Sequence, residues 1–205
     1  RTTTLTYLNG GRRERIVNLY RVVATTTFDA AMGSSLRAGE ADVRLPANAL
    51  MDPSGQRYAG PVTVAVATVS ATPEAPLPLL PDVVLEEGGE PVSSVALIGV
   101  SVTLRGTDGL PLQVAPDRRS PLTIYLPDDG PVAAGDVLFA WSLDERTNEL
   151  KLGGDCTVEV AQEGVETPPG RSLSCTTALA HYSWNFWGRA SGASGGGSAK
   201  AKPAA

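Results

Sequence analysis

Hydrophobic and polar residues alternate along much of this chain, in short runs that end at turn-forming residues. Residues 42–45 alternate and stop at Pro46, which has no N–H to donate to a neighbouring strand. Residues 61–70 alternate through their valines, and residues 95–105 form a longer apolar run that we expect to be broken or bulged at Gly99. A period of two is typical of β-strands, so each of these runs predicts one.

The same pattern predicts strands elsewhere, separated by sequences that favour turns. Strong turn sequences occupy residues 52–55, 107–109 and 128–130, where Asp is combined with Gly or Pro. The other predicted strands are residues 15–28, 83–85, 110–114, 121–126, 137–143, 150–152, 156–160 and 172–187. The chain has no sustained helical period, so about ten short strands predict an all-β fold, an antiparallel β-sandwich.

Composition divides the chain into three parts. Residues 1–27 are expected to be N-terminal strands or the end of a preceding segment, and residues 28–188 the β-sandwich module. Residues 189–205 are rich in Gly, Ser and Ala and predict a flexible, disordered linker. The chain begins with Arg1 and shows no signal peptide, so we interpret it as an excised or processed segment of a longer protein.

Composition and charge exclude two classes of partner. Hydrophobic residues make up 42% of the chain, enough for a core, and 22 Gly with 16 Pro favour many turns. The net charge is −5, and the one concentration of arginines, at residues 12–15, is interrupted by Glu14, so we expect no nucleic-acid partner. Apolar runs are far shorter than the roughly 20 residues of a membrane helix, so membrane association is expected only through a parent protein.

The chain has two cysteines, Cys156 and Cys175, on the two arms of the last predicted hairpin. Facing residues of antiparallel strands approach within about 5.5 Å, which suits a disulfide. A bridge closing such a loop contributes about 3 kcal/mol. The alternative is two buried free thiols in a cytosolic protein. One His and two Cys do not match a zinc site, and the turn aspartates lack a calcium-loop pattern, so no metal or cofactor is predicted.

The tripeptide His181-Tyr182-Ser183 is the candidate for chemistry. A serine hydroxyl can attack the carbonyl of the preceding residue, which converts that amide to an ester that water then cleaves. His181, the one histidine of the chain, can act as the base that takes the hydroxyl proton. We expect the aromatic strand to begin at His181, so that side-chain alternation places His181 and Ser183 on one face. A turn or distorted peptide at Tyr182 would bring the two side chains closer and strain the bond to be broken.

The order of residues around this tripeptide resembles two families. Trp141, a polar turn, Cys156, Cys175, His181 and Ser183 follow the order of the proteolysis-site (GAIN/GPS) module of adhesion receptors and polycystin-like proteins. The triplet is also similar to the self-cleavage site in the sandwich domain of netrin receptors, ankyrins and death-domain adaptors. These resemblances imply a single-turnover self-cleavage between the second and third residues of the triplet, with the disulfide in support.

A second resemblance covers about residues 28–187. Residues 43–69 and 99–116 are similar to a secreted β-sandwich domain of bacterial surface proteins and cartilage intermediate layer-like proteins, whose domains often close with a His-Phe-Ser-Trp-type strand. This resemblance implies an extracellular or cell-surface location. It also implies that the partners are other domains of the same protein or other extracellular proteins.

Three functions are therefore open. We favour a non-catalytic structural or interaction module, in which His181 is a hydrogen-bonded strand residue, Ser183 is packed, and the following aromatic residues form core. The alternative is a single-turnover autoprotease, so that any activity is self-cleavage and not turnover of a substrate. The third is a carbohydrate- or protein-binding sandwich, which needs Trp141, Trp184 or Trp187 on the surface.

Overall fold

The computed structural model describes residues 2–8, 12–18, 21–71, 77, 84–87, 90–144, 149–162 and 164–191, and within them the chain forms strands and turns but no helix. In chain order the strands are β1 (Thr2–Leu8), β2 (Arg12–Asn18), β3 (Ala24–Asp29), β4 (Ser34–Ala38), β5 (Ala41–Leu45), β6 (Leu50–Met51), β7 (Pro61–Ser70), β8 (Val84–Glu87), β9 (Glu90–Arg105), β10 (Gln113–Val114), β11 (Ser120–Leu126), β12 (Val137–Asp144), β13 (Glu149–Thr157), β14 (Glu159–Val160), β15 (Leu173–Leu179) and β16 (Trp184–Ser191). The strands outnumber the prediction because predicted runs such as residues 172–187 form two strands each, and because β1 and β4 lie outside the predicted runs.

Two large sheets confirm the predicted all-β sandwich. The larger sheet has the order β13–β12–β16–β9–β7–β3, with β8 paired to β9, and the smaller has the order β14–β15–β11–β5–β4. Two small sheets join β1 to β2 and β6 to β10. All of these pairings are antiparallel.

Alternation of side chains places one face of each sheet in the core. In β5, Val43 and Leu45 are buried, whereas Arg44 between them is exposed. In β7, Val62 and Val64 are buried in the same way. The apolar side chains of both inner faces form one cluster, and their removal from water is the main force that holds the sheets together.

The chain changes sheets twice near its C-terminal end. It leaves the larger sheet after β13 at the buried Val158 and enters the smaller sheet as β14. It returns between β15 and β16 through residues 180–183. In β16, Trp187 reaches across the core, and its indole N–H donates to Thr177 Oγ1 of β15 at 3.0 Å. The buried indole therefore keeps a hydrogen-bond partner in the opposite sheet.

The predicted disulfide is present, with a Cα–Cα distance of 5.7 Å between Cys156 and Cys175. Its predicted placement across one hairpin is wrong, because Cys156 pairs with Leu138 in the larger sheet and Cys175 with Ile124 in the smaller. A bulge in β13 at Gly153 precedes Cys156, and bulges bend and twist the strand that carries them. The bridge thus ties the two sheets to each other.

Gly99 is not where β9 bulges. The register of β9 shifts between Ile98 and Ala96. A Cβ at Gly99 would lie 3.0 Å from both the Phe186 ring and Val69 Cγ1. Glycine is therefore required here for the close packing of an aromatic ring of the neighbouring strand against the backbone.

The sandwich extends slightly beyond the predicted module. Its first strand begins at Ala24, before residue 28, and its last strand continues to Ser191, past residue 188. The remainder of the predicted linker, residues 192–205, lies outside the described residues.

We expect the double substitution Cys156→Ala and Cys175→Ala to lower the free energy of unfolding by about 3 kcal/mol, because the bridge restricts the unfolded chain. Urea denaturation of the oxidised protein and the double variant measures the difference. Reduction should destabilise the parent protein and leave the double variant unchanged. Equal midpoints for all samples would contradict a stabilising disulfide.

Candidate functional site

The His181-Tyr182-Ser183 triplet lies in the later of the two sheet changes near the C-terminal end, between β15 and β16. It follows the end of β15 at Leu179 and precedes the start of β16 at Trp184. The expectation that the aromatic strand begins at His181 is therefore wrong: these three residues are irregular, because here the chain leaves one sheet for the other. We call this connection, with its contacts, the crossover clasp.

Tyr182 is the buried centre of the crossover clasp. Only 3% of the residue is exposed, and its hydroxyl forms a hydrogen bond with the Ser120 hydroxyl at the start of β11. Ser120 Oγ in turn donates to the carbonyl of Arg44. Burial raises the pKa of Tyr182 above its usual value, and this outweighs the opposite effect of the Ser120 hydrogen bond. The tyrosine is thus neutral and holds the connection against the smaller sheet.

Gln113 binds the backbone of Tyr182 on both sides. Its Nε2 donates to the Tyr182 carbonyl at 3.1 Å, and its Oε1 accepts from the Tyr182 N–H at 3.2 Å. A side-chain amide thereby takes the place of a neighbouring strand for a peptide that has left the sheet. Gln113 was not predicted, because a glutamine in a short strand after an Asp-Gly turn carries no distinguishing sequence pattern.

Ser183 attaches the other end of the crossover clasp to the larger sheet. Its hydroxyl donates to the Leu143 carbonyl at 2.7 Å and is 3.2 Å from the Trp184 carbonyl. Its own carbonyl accepts from the Val102 N–H at 3.3 Å and from Asn185 Nδ2 at 3.2 Å. The serine is buried, and both of its oxygens have partners.

His181 takes no part in the hydrogen bonds described above. It is exposed, and in the described part of the chain no hydrogen bond joins it to Ser183. The strand on which the expected shared face rests begins only at Trp184, so strand alternation does not apply to His181 and Ser183. The backbone is also ordinary: the described residues include no cis peptide, and Asn48 is their one non-glycine residue with positive φ. The peptide between Tyr182 and Ser183 carries no such distortion.

The outer face of the smaller sheet holds a polar cluster that the sequence analysis did not single out. Arg37 donates from Nε and Nη2 to the two carboxylate oxygens of Asp42, its cross-strand partner, at 2.8 and 2.7 Å. Tyr125 donates to the same carboxylate at 2.8 Å, and the Arg37 guanidinium lies 5.2 Å from its ring centre. Arg37 also donates to the Glu166 carbonyl in the loop before β15. Cross-strand placement explains the pairs, but the loop contact depends on tertiary structure.

Burial and ion pairing act in opposite directions on Asp42. Burial alone would raise the pKa of Asp42. Hydrogen bonds from Arg37 and Tyr125 and the charge of Arg37 lower this pKa by more than burial raises it, so it lies below its usual value. The hydrogen bond to Asp42 raises the pKa of Arg37 above its usual value, so both members of the pair stay charged. About a third of each side chain is exposed, 34% for Arg37 and 32% for Asp42.

The tryptophans do not form an exposed platform. Trp141 and Trp187 are buried, and Trp184 is partly buried and stacked on Phe186 with 6.0 Å between ring centres. Trp184 and Phe186 lie with Leu77 in a small apolar cluster, whereas Trp187 belongs to the main core. A binding surface made of exposed tryptophans therefore cannot include Trp141 or Trp187.

Two kinds of feature are absent from the described residues. No group of three or more His, Cys, Asp and Glu residues is placed to share a metal ion, and no helix is long and apolar enough to cross a bilayer. No protein-family model, curated protein or solved structure matches the chain.

We expect Gln113→Leu to lower the free energy of unfolding by about 2 kcal/mol, because it leaves the N–H and carbonyl of Tyr182 without their partner. Denaturant unfolding followed by tryptophan fluorescence measures this loss. Gln56→Leu is the matched control, since Gln56 is exposed. A loss no larger than that of the control would show that the amide does not stabilise the crossover.

We expect stability to fall as pH decreases from about 5 to about 2, in part through Asp42. Its lowered pKa means that the ionised form favours the folded state, so this contribution is complete above the unfolded pKa and is lost as the pH falls through the folded pKa. Asp42→Asn should flatten the dependence of unfolding midpoints on pH over this range. The exposed Asp155→Asn serves as control, and equal slopes for both variants would contradict the role of Asp42.

Proposed function

We propose that the chain is a non-catalytic structural and interaction module of a larger secreted or cell-surface protein. The observation that carries this proposal is the Ser183 hydroxyl, whose proton is donated to the Leu143 carbonyl at 2.7 Å. A serine becomes a nucleophile when a base takes that proton, and His181 is exposed and not bonded to it. Tyr182 and Ser183 act instead as contacts that join the sheets.

The disulfide supports the proposed location. Cys156 and Cys175 form the bridge, and disulfides are typical of proteins in oxidising compartments. The proposed partners are other domains of the same protein or other extracellular proteins. Attachment to a membrane, where it occurs, is through that parent protein.

Self-cleavage between Tyr182 and Ser183 is the second candidate, favoured by the position of Gln113. Its Nε2 lies 3.1 Å from the Tyr182 carbonyl oxygen, the atom that would gain negative charge during attack. In that reaction Ser183 Oγ bonds to the carbonyl carbon, its proton passes to His181, and the C–N bond breaks as the amine takes the proton. Water then hydrolyses the ester to give the Tyr182 carboxylate and the free Ser183 hydroxyl. The resemblance to proteolysis-site modules supports this candidate.

Intact mass spectrometry of the purified chain in denaturant separates the two candidates. We expect one species at the full mass of 21.2 kDa, unchanged in Ser183→Ala, because the hydroxyl is held by the Leu143 carbonyl. Ser174→Ala is the matched control. Two fragments divided between Tyr182 and Ser183, absent from Ser183→Ala but present in the control, would overturn the non-catalytic proposal and establish self-cleavage.

A further inference from the structure

The polar cluster on the smaller sheet borders a trough of about 450 Å³ that the crossover clasp does not involve. This volume lies within the range of roughly 300–1,000 Å³ that is usual for small-ligand sites. The residues around it, most of them polar, come from β4, β5, β11 and the loop before β15: Ser35, Leu36, Arg37, Asp42, Val43, Arg44, Thr123 and Glu166.

The trough runs across the strands between two rows of cross-strand neighbours. One row pairs Ser35 with Arg44, and the other pairs Arg37 with Asp42, beside Thr123. Val43 lies between the rows, and because its side chain is buried on the inner face it presents its backbone to the trough. The two rows therefore border the trough with polar head groups, and apolar surface also contributes to its lining.

The two arginines of the trough differ in whether their guanidinium groups already have partners. Arg37 is committed to Asp42, Tyr125 and the Glu166 carbonyl, so its guanidinium is held in place and not free for a ligand. Arg44 is exposed, and its side chain makes no ion pair or hydrogen bond with any residue that the structure describes. A free guanidinium presents a planar fork of N–H donors that matches a carboxylate.

The remaining groups favour hydroxyls as ligand atoms. Asp42 Oδ1 accepts one hydrogen bond, from Arg37, and keeps acceptor capacity for a hydroxyl donor. Ser35 and Thr123 add hydroxyls that can both donate and accept. An aromatic ligand cannot stack on the face of the Tyr125 ring that the Arg37 guanidinium covers.

We infer that this trough binds a carboxylate-bearing saccharide, with its carboxylate on Arg44 and its hydroxyls on Asp42, Ser35 and Thr123. The inference rests on the interaction role proposed above and names the class of ligand for it. The trough shares only the backbone carbonyl of Arg44 with the crossover clasp, and side-chain substitutions in the trough keep that carbonyl. Loss of saccharide binding and self-cleavage are therefore separate results in separate measurements.

Nuclear magnetic resonance titration of the full ¹⁵N-labelled chain tests the site, with sodium glucuronate, glucose and sodium acetate as probes. We expect glucuronate to shift the amides of residues 35–44 and 123 in a saturable way, at concentrations at least about tenfold lower than glucose or acetate require. Glucose lacks the carboxylate and acetate lacks the hydroxyls, so each loses one half of the proposed contacts.

Arg44→Gln should weaken glucuronate binding at least about tenfold, because the ionic hydrogen bonds to the carboxylate are lost. Arg105→Gln, at an exposed arginine of β9, is the control and should bind as the parent does. Equal affinity in Arg44→Gln and the parent would overturn the site. Acetate as effective as glucuronate would reduce it to a simple anion site and overturn the saccharide assignment, and no saturable shift with any probe would overturn it altogether.

Discussion

The structure depends on how a polar backbone passes through the edge of an apolar core. A strand satisfies its N–H and carbonyl groups through its neighbours, but a chain that moves from one sheet to the other loses those neighbours. At Tyr182 the amide of Gln113 replaces them, and the tyrosine hydroxyl is satisfied by Ser120. At the other end of the connection, the Ser183 hydroxyl donates to the Leu143 carbonyl. The inner faces can pack closely because the buried polar groups of Tyr182 and both oxygens of Ser183 have partners.

The fold could be predicted in outline because burial has a period of two in this sequence. Residues 61–70 show it clearly, and they are a strand with the predicted bounds. The disulfide was also predicted, but its partners belong to different sheets, since nothing in the local sequence shows that the chain crosses at Val158. Gly99 was identified as unusual for the wrong reason: the ring of Phe186, distant in sequence, is what excludes a Cβ there.

The candidate site was harder to predict than the fold. The sequence located His181, Tyr182 and Ser183 but not their surroundings, and hydrogen-bond partners such as Gln113 and Leu143 lie far away in the chain. The alternating pattern continues through residues 181–183, which are not a strand, so the sequence did not show where the chain leaves the sheet. No local sequence pattern predicts the trough, because its residues are brought together by the register of the strands and by a loop distant in sequence.

The position of β16 has a mechanical consequence. This strand lies inside the larger sheet, hydrogen-bonded to β12 on one side and to β9 on the other. A pull applied at Ser191 along the strand would load both ladders in shear, so many hydrogen bonds must break together and not one after another. The disulfide at Cys175 lies before this strand and would carry none of that force until the ladders fail. The sandwich is thus built to resist tension delivered through its last strand.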